Sequence, residues 1–303
     1  MDLRDLQYFE VIAEHGHLGR AAEALGLGQP ALSMSLRRLE RSAQAKLVAR
    51  TPKGVQLTSI GQALLSHLGK VRLAHEDMTR ELADLASGRS GHLRIGASPS
   101  NAEQFLPEAC SALLREAPRV SMAVTLLDNE SLLPALRKGE LDLVLRHAAP
   151  VPLPDLIDEP FRKDQFVIYC SANHRLAKHR AVSLQDLAQE RWASTTAAAG
   201  PLLSLPEAFA RAGLPPLRTA LVTDLVMFKL RVVAGCELLG ISNQRTVQAE
   251  AARLGLVILP VTGLDLVRTV AITYRKDSYL PTAARRLIDL LKTTARNAHS
   301  LDF

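Results

Sequence analysis

A chain of 303 residues is too long for one small domain, and its length predicts about two. It is 47% hydrophobic and 22% charged with a net charge of +6, which is globular, excludes a low-complexity chain, and suits a polyanionic partner without requiring one. Cys110, Cys170 and Cys236 form no CxxC pair and no even framework, no run reaches the 18 apolar residues of a membrane span, and MDLRDLQYFEVIAEHG lacks a basic leader, so a cytoplasmic protein with no structural zinc site and no membrane partner is expected.

In chain order, residues 3–15 read as an amphipathic helix with Leu6, Phe9, Ile12 and Ala13 on one side, stopped by Gly16. Leu18, Ala21, Ala22 and Leu25 give a second, short helix that ends at Gly26-Leu27-Gly28. A third starts near Pro30, a residue suited to a first helical turn, and places Leu32, Leu36, Leu39 and Ala43 on one face. Its other face carries Ser33, Arg37 and Arg41, with Met34 and Arg38 beside them. Two short helices joined by a glycine turn, the second armed with arginines, predict a helix-turn-helix. Between Gln29 and Gln56 stand Arg37, Arg38, Arg41, Lys46, Arg50 and Lys53 against Glu40 alone, which points to double-stranded DNA rather than a merely solvated basic face. Residues 47–50 and 55–57 read as two short strands around the turn Thr51-Pro52-Lys53-Gly54, a wing that would touch the DNA backbone.

From Thr58 to about Ala86 the pattern is one long helix without proline, with Leu64, Leu68, Val71, His75, Met78, Leu82 and Leu85 forming a heptad seam. A single long helix has no core of its own, so residues 58–86 are expected to hold a homodimer, and Ser87-Gly88-Arg89-Ser90-Gly91 reads as a hinge. His75, the polar member of the seam, points along its edge or makes the contact sensitive to pH. Beyond residue 92, eight strand-like segments (93–97, 120–127, 141–145, 166–170, 217–222, 238–242, 256–261, 267–274) alternate with helical ones, an α/β reading with parallel sheets.

The segments AAEALGLGQPALSMSLRRLE, RTPKGVQLTSIGQALL and HLRIGAS, in this order around a long helix, resemble the LysR-type transcriptional regulators. The resemblance covers the whole chain and is strongest over residues 3–66. Gly19 and Gly28 stand where the family has Ser or Thr, which removes a capping hydroxyl from two helix starts, and Val48 where Phe is common. What the resemblance implies is an N-terminal all-α winged helix-turn-helix (1–58), a linker helix and hinge (59–91), and a C-terminal two-lobed α/β effector domain (92–303) similar to periplasmic binding proteins. Lobe I would comprise 92–161 and 267–303, and lobe II 162–266. Gln29, Pro30, Ser33, Met34, Arg37 and Arg38 would face the major groove, while Arg50 and Lys53 hold the backbone; Met34 departs from the family, which often has a basic residue there, and can meet a thymine methyl instead. The implied assembly is a homodimer, further a homotetramer, contacting RNA polymerase if it activates.

A small-molecule effector would lie between the lobes. Ser98, Pro99, Ser100 and Asn101 stand between a strand and a helix start, where free N–H groups suit an anion; Ser100 or Asn101 capping the helix is the plainer role, and both can hold. By resemblance Arg146, His147, Thr195, Thr196, Thr223 and Asp224 also line the cleft. Arg146 near serine hydroxyls suggests an acidic effector, with a salt bridge to Asp142 or Asp158 as the equal alternative. Glu237, in the apolar run GCELLGISN, needs a partner, either a hydroxyl or cation of the effector or Arg231.

The alternatives are an α/β enzyme or a solute-binding module with an accessory nucleic-acid-binding domain. Gly26 to Ala31 matches GxGxxA but follows a helix and carries Pro30, and GxSxG, HExxH and GxxxxGK[ST] are absent. The pairs His15/His17 and His174/His179 lack further ligands, and Cys170 and Cys236 are far apart for redox sensing. No catalytic residue, metal or cofactor is expected.

Overall fold

The computed structural model describes residues 2–52, 54–87, 91–148, 151–195, 204–264 and 266–299. It divides into two compact units, Met1–Arg80 and Glu81–Phe303. In the first, α1 (Leu3–His15) starts at Asp2, whose carboxylate accepts the Arg4 N–H, and ends at Gly16 in the left-handed conformation. α2 (Leu18–Ala24) is capped by the His17 ring, whose Nδ1 accepts the Gly19 N–H at 3.1 Å, so an imidazole does the work of the missing hydroxyl. α3 (Gln29–Ser42) has Pro30 in its first turn and no side-chain cap at Gly28. Phe9, Ile12, Leu18, Ala21, Leu32, Leu36 and Leu39 close the core between the three helices.

The antiparallel hairpin β1 (Val48–Thr51) and β2 (Gly54–Leu57) pairs Val48 with Leu57 and Thr51 with Gly54, the expected wing. It is held tightly: Val55 N–H donates to the Gly16 carbonyl at 2.8 Å, and a Cβ on Gly54, at φ 131°, would stand 2.2 Å from that oxygen. α4 (Ser59–Ser87) is one unbroken helix of 29 residues, roughly 43 Å long. Leu68 is buried in the first unit's core, but from Val71 onward the seam residues Val71, His75, Met78, Leu82 and Leu85 are exposed. Gly88, Arg89 and Ser90 of the expected hinge lie outside the described residues.

The second unit is a two-lobed α/β body. β3 (His92–Ala97), α5 (Pro99–Glu116), β4 (Ser121–Leu126), α6 (Asn129–Arg137) and β5 (Leu143–His147) build the first lobe, with parallel pairs β3–β4 and β3–β5. β6 (Leu156–Ser171) follows and leads into the second lobe. There α7 (Leu184–Ala188), β7 (Arg191–Ser194), α8 (Ser204–Arg211), β8 (Arg218–Val222), α9 (Val226–Ala234), β9 (Leu239–Asn243), α10 (Gln244–Leu254) and β10 (Leu256–Ile258) are found. β11 (Val267–Arg275) and α11 (Thr282–His299) return to the first lobe. The strand order is β4-β3-β5-β11-β6-β9-β7-β8, with β10 beside β6.

Two sequence expectations change here. The sheets are mixed rather than parallel, because β11 and β6 both run antiparallel to their neighbours. The strand expected at 166–170 is the second half of the 16-residue β6, which pairs with β11 up to Gln165 and with β9 from Phe166. Pro160 and the charges of DEPFRKDQ disguise its first half. Proline is tolerated there because the register slips at that point, Val270 facing Arg162 and Ala271 facing Pro160, which bulges Phe161 out of the ladder. β6 is thus the one strand shared by both lobes, and the lobes meet where its partner changes.

Candidate functional site

The exposed face of α3 presents Gln29, Pro30, Met34 and Arg37 to solvent, with Ser33 half-buried. Met34 is 59% exposed. Arg38 behaves differently from its neighbours. Its guanidinium grips the buried Asp5 of α1 with two hydrogen bonds, Nε to Oδ2 at 3.1 Å and Nη2 to Oδ1 at 2.6 Å, and Ser35 Oγ donates to the same carboxylate at 2.5 Å. The Arg38 hydrogen bond leads the interactions that hold the Asp5 carboxyl below its ordinary value. Arg38 therefore fixes the angle between α1 and α3, and Arg37 and Arg41 are the arginines left exposed on the face. Glu40 does a second structural job, accepting Leu47 N–H at 3.1 Å and pairing with Lys46 at 2.7 Å where the chain enters the wing. Arg50 is in β1, its side chain outside the described part, and Lys53 lies outside the described residues.

In the second unit, β3 and β5 are parallel and end together, which brings Ser98 to Asn101 beside Arg146 and His147. In the other lobe β7, β8 and β9 are mutually parallel, and their C-terminal ends carry Ser194-Thr195, Thr223-Asp224 and Asn243. Strand ends of parallel sheets leave a crevice, because the crossover loops part there. The two sets approach each other across β6. The His147 and Phe166 rings meet edge-on at 5.9 Å, and Gln104 of α5 donates to Asp164 Oδ1 at 3.3 Å while accepting from the Asn243 amide.

This seam is rich in buried polar atoms. Ser98 is the N-cap residue of α5, yet its hydroxyl makes no cap hydrogen bond, so neither Ser100 nor Asn101 nor Ser98 caps by side chain. Ser98 Oγ, Asn101 Oδ1, His147 Nδ1, Asp164 Oδ2 and Asn243 Oδ1 are all buried without a hydrogen-bond partner among the described residues. Such groups are costly when left bare, and water or a ligand can complete them. Burial, with help from Arg268 and Arg146, drives His147 down to about 4, so its ring is neutral near pH 7.

Two candidates are corrected by their surroundings. Arg146 is buried and committed: Nη2 pairs with Asp158 at 3.1 Å, Nε donates to Thr273 Oγ1 at 3.0 Å, and Nη1 to the His147 carbonyl at 2.7 Å. Asp142 pairs with Arg94 instead. The plainer account of Arg146 holds, and it no longer argues for an acidic effector. Glu237 is exposed in the turn before β9, at the opposite end of that strand from Asn243, roughly 16 Å from the seam by strand rise. Thr195, Thr223 and Asp224 are half-buried at the seam's second-lobe side, and Thr196 lies outside the described residues. Sequence reading missed Gln104, Asp164, Asn243 and the buried Lys229; Asn243 ends the very run GCELLGISN from which Glu237 was chosen.

Residues 86–296 match the family described as LysR substrate binding domain, and residues 3–62 the bacterial regulatory helix-turn-helix protein, lysR family. The chain belongs to the LysR family of bacterial transcriptional regulators. It is 27% identical over 296 residues to the regulator CbbR of Rhodospirillum rubrum, covering 97% of each chain, and 28% identical to the RuBisCO operon transcriptional regulator of Allochromatium vinosum, covering 99% and 98%. Full-length CbnR complexed with its target DNA has the same fold at a TM-score of 0.63 and 18% identity, over 97% of this chain and all of that one. The regulatory domain of Synechocystis CcmR in complex with 2-PG aligns with 68% of this chain and 98% of its own, at a TM-score of 0.61 and 20% identity. As a LysR regulator the protein is a DNA-binding transcription factor with an effector-binding domain, not an enzyme. Among the described residues, no helix is long and apolar enough to cross a membrane, and no group of His, Cys, Asp and Glu could hold a metal ion.

Proposed function

We propose that this LysR regulator works in the cytoplasm as a homodimer joined along α4, reading a pair of DNA half-sites with the exposed face of α3. The domain limits 1–58, 59–91 and 92–303, with lobe II as 162–266, belong to this reading. Gln29, Pro30, Ser33, Met34 and Arg37 meet base edges, Met34 against a thymine methyl, and Arg50 and Lys53 hold the backbone. Arg38 serves by orienting α3 through Asp5. The observation that carries the proposal is the exposed Arg37 beside an exposed Met34, on a face where Arg38 is tied to Asp5.

The test is anisotropy or gel shift on the region upstream of the protein's own gene against random DNA, at two salt concentrations. Specific binding that survives added salt is expected, and equal binding that collapses with salt would reduce α3 to a basic patch. Arg37→Ala should lose roughly 1–3 kcal/mol on the specific site and much less on random DNA; equal losses on both would make Arg37 a phosphate contact.

Dimerisation is supported by the exposed Val71, His75, Met78, Leu82 and Leu85 at alternating spacings of four and three. Leu82→Glu should turn the dimer into monomers by sedimentation, and an unchanged dimer would remove α4 from the interface. Further assembly to a tetramer is supported by apolar side chains exposed at both outer strands of the body, Val124 and Leu126 on β4, and Val222 on β8 with Leu225 and Phe228 on or beside α9. The effector binds at the seam of unpartnered polar groups between the lobes and changes how the subunits present α3 to DNA and, for an activator, to RNA polymerase; that a similar domain, the regulatory domain of CcmR, was solved in complex with 2-PG supports a small-molecule effector.

A further inference from the structure

Lys229 is 2% exposed, among the largest fully buried side chains of the protein. Among the described residues its ammonium makes no hydrogen bond and no ion pair; the only charge it feels is that of Asp224. Its Nζ is not among the fully buried unpartnered atoms, so the ammonium reaches solvent-accessible space at the end of a buried stem, where an anion can pair with it. Burial pulls it down to about 8, with Asp224 opposing, which leaves it mostly protonated near pH 7.

Its direction follows from its place. Lys229 is one turn into α9, side chains on a helix lean back over the preceding turn, and Asp224 lies just before the helix starts. The ammonium is thus aimed at the N-terminus of α9. Among the described residues that terminus has no side-chain cap from Leu225, and Thr223 Oγ1 accepts the Leu225 N–H at 3.2 Å. The N–H groups of the first turn and the positive end of the helix dipole point the same way. α9 begins directly after β8, whose end lies beside that of β7; β7 in turn lies beside β9, and Asn243 at the end of β9 touches Gln104 of the first lobe.

We propose that Lys229 and the N-terminus of α9 form the anion-binding end of the effector cleft, so that the effector carries a carboxylate or phosphate group held there. This rests on the reading of the interlobe seam as the effector site. It moves the acid-recognising cation from Arg146, which is spent on Asp158 and Thr273, to the second lobe. Asp224, half-buried beside it, keeps Lys229 charged in the empty site and restricts the anion to the side of the helix N–H groups.

The full-length protein, at constant ionic strength in chloride, is titrated with inorganic phosphate and in a separate arm with malonate, following thermal unfolding and binding heat. A saturable response to one of them identifies the group, and Lys229→Met should weaken it roughly tenfold or more. In chloride alone Lys229→Met should melt no lower than the native chain, because a lone buried cation has been replaced by an apolar chain of similar shape. Equal binding by both proteins, or no saturable response to either anion in the native chain, overturns the assignment. Side-chain NMR of Lys229 in the native chain is the second measure: bound anion must raise its titration midpoint, and an unmoved midpoint at saturation also overturns it. Ser100→Trp, which fills the first-lobe side, separates this inference from the cleft itself. Anion binding lost in both variants supports both readings. Binding kept in Ser100→Trp but lost in Lys229→Met upholds the lysine and overturns the interlobe location.

Discussion

Asp5→Ala is expected to cost the N-terminal unit about 2–4 kcal/mol in urea unfolding and to weaken specific DNA binding, although Asp5 lies two helices away from the reading face. Asp5 is buried and holds three donors from α3: Ser35 Oγ, Arg38 Nε and Arg38 Nη2. Truncation strands the Ser35 hydroxyl, which is itself buried, and that desolvated group accounts for most of the loss. Arg38 is about half exposed and can turn to water, so its share is small. Asp5→Asn, which keeps an acceptor for Ser35, should fall between the native chain and Asp5→Ala. The pH dependence has a definite sign. The folded carboxyl titrates below its ordinary value, so its contribution is fully present above about pH 4 and is lost as the pH falls further. Loss of DNA binding without loss of stability would mean that Arg38 contacts DNA itself; a change under about 0.5 kcal/mol would show that α1 and α3 are held by apolar packing alone.

What the sequence made legible was periodic. α3 and α4 repeat their apolar residues at three and four, the wing carries its turn residues, and the layout of residues 3–87 matches element for element. Polar contacts between distant residues leave no such trace. Asp5 reads as an ordinary acid near a helix start, and nothing in α1 announces a partner 33 positions on. β6 was half hidden because a proline and a cluster of charges normally argue against a central strand, and only the bulge at Phe161 makes the exception physical. Arg146 stands out by resemblance and by the serines near it, and Glu237 as an acid in an apolar run. That reasoning located a buried ion pair and an exposed turn, since burial is set by which end of a strand a residue occupies. The residues that do converge, Gln104, Asp164, Asn243 and Lys229, come from four elements and share no spacing.

Asp164→Asn should stabilise the C-terminal unit by roughly 2–3 kcal/mol at pH 8, and the gain should vanish near pH 4. Asp164 is 3% exposed on β6, where the strand passes between the lobes. Burial pushes its carboxyl up to about 6, against the pull of Gln104, Asn243, Arg162 and Arg245. An acid whose folded midpoint lies above its unfolded one binds more protons when folded. Its contribution is therefore most favourable below about pH 4, declines as the pH rises to 6, and remains an unfavourable charge above that. Asparagine copies the neutral acid at every pH and keeps an oxygen for Gln104, whose amide donates at 3.3 Å. Urea unfolding of both proteins at pH 4.5 and 8 measures the difference, and a variant that is less stable than the native chain at pH 8 would sink this account. A residue that weakens the protein at the junction of its two lobes, linked through Gln104 to the first and through Asn243 to the second, has the profile of a functional group rather than a packing one. The same substitution should then stiffen the lobes against each other at neutral pH, seen as slower hydrogen exchange at the Phe166 and Asn243 amides, with the difference again closing in acid.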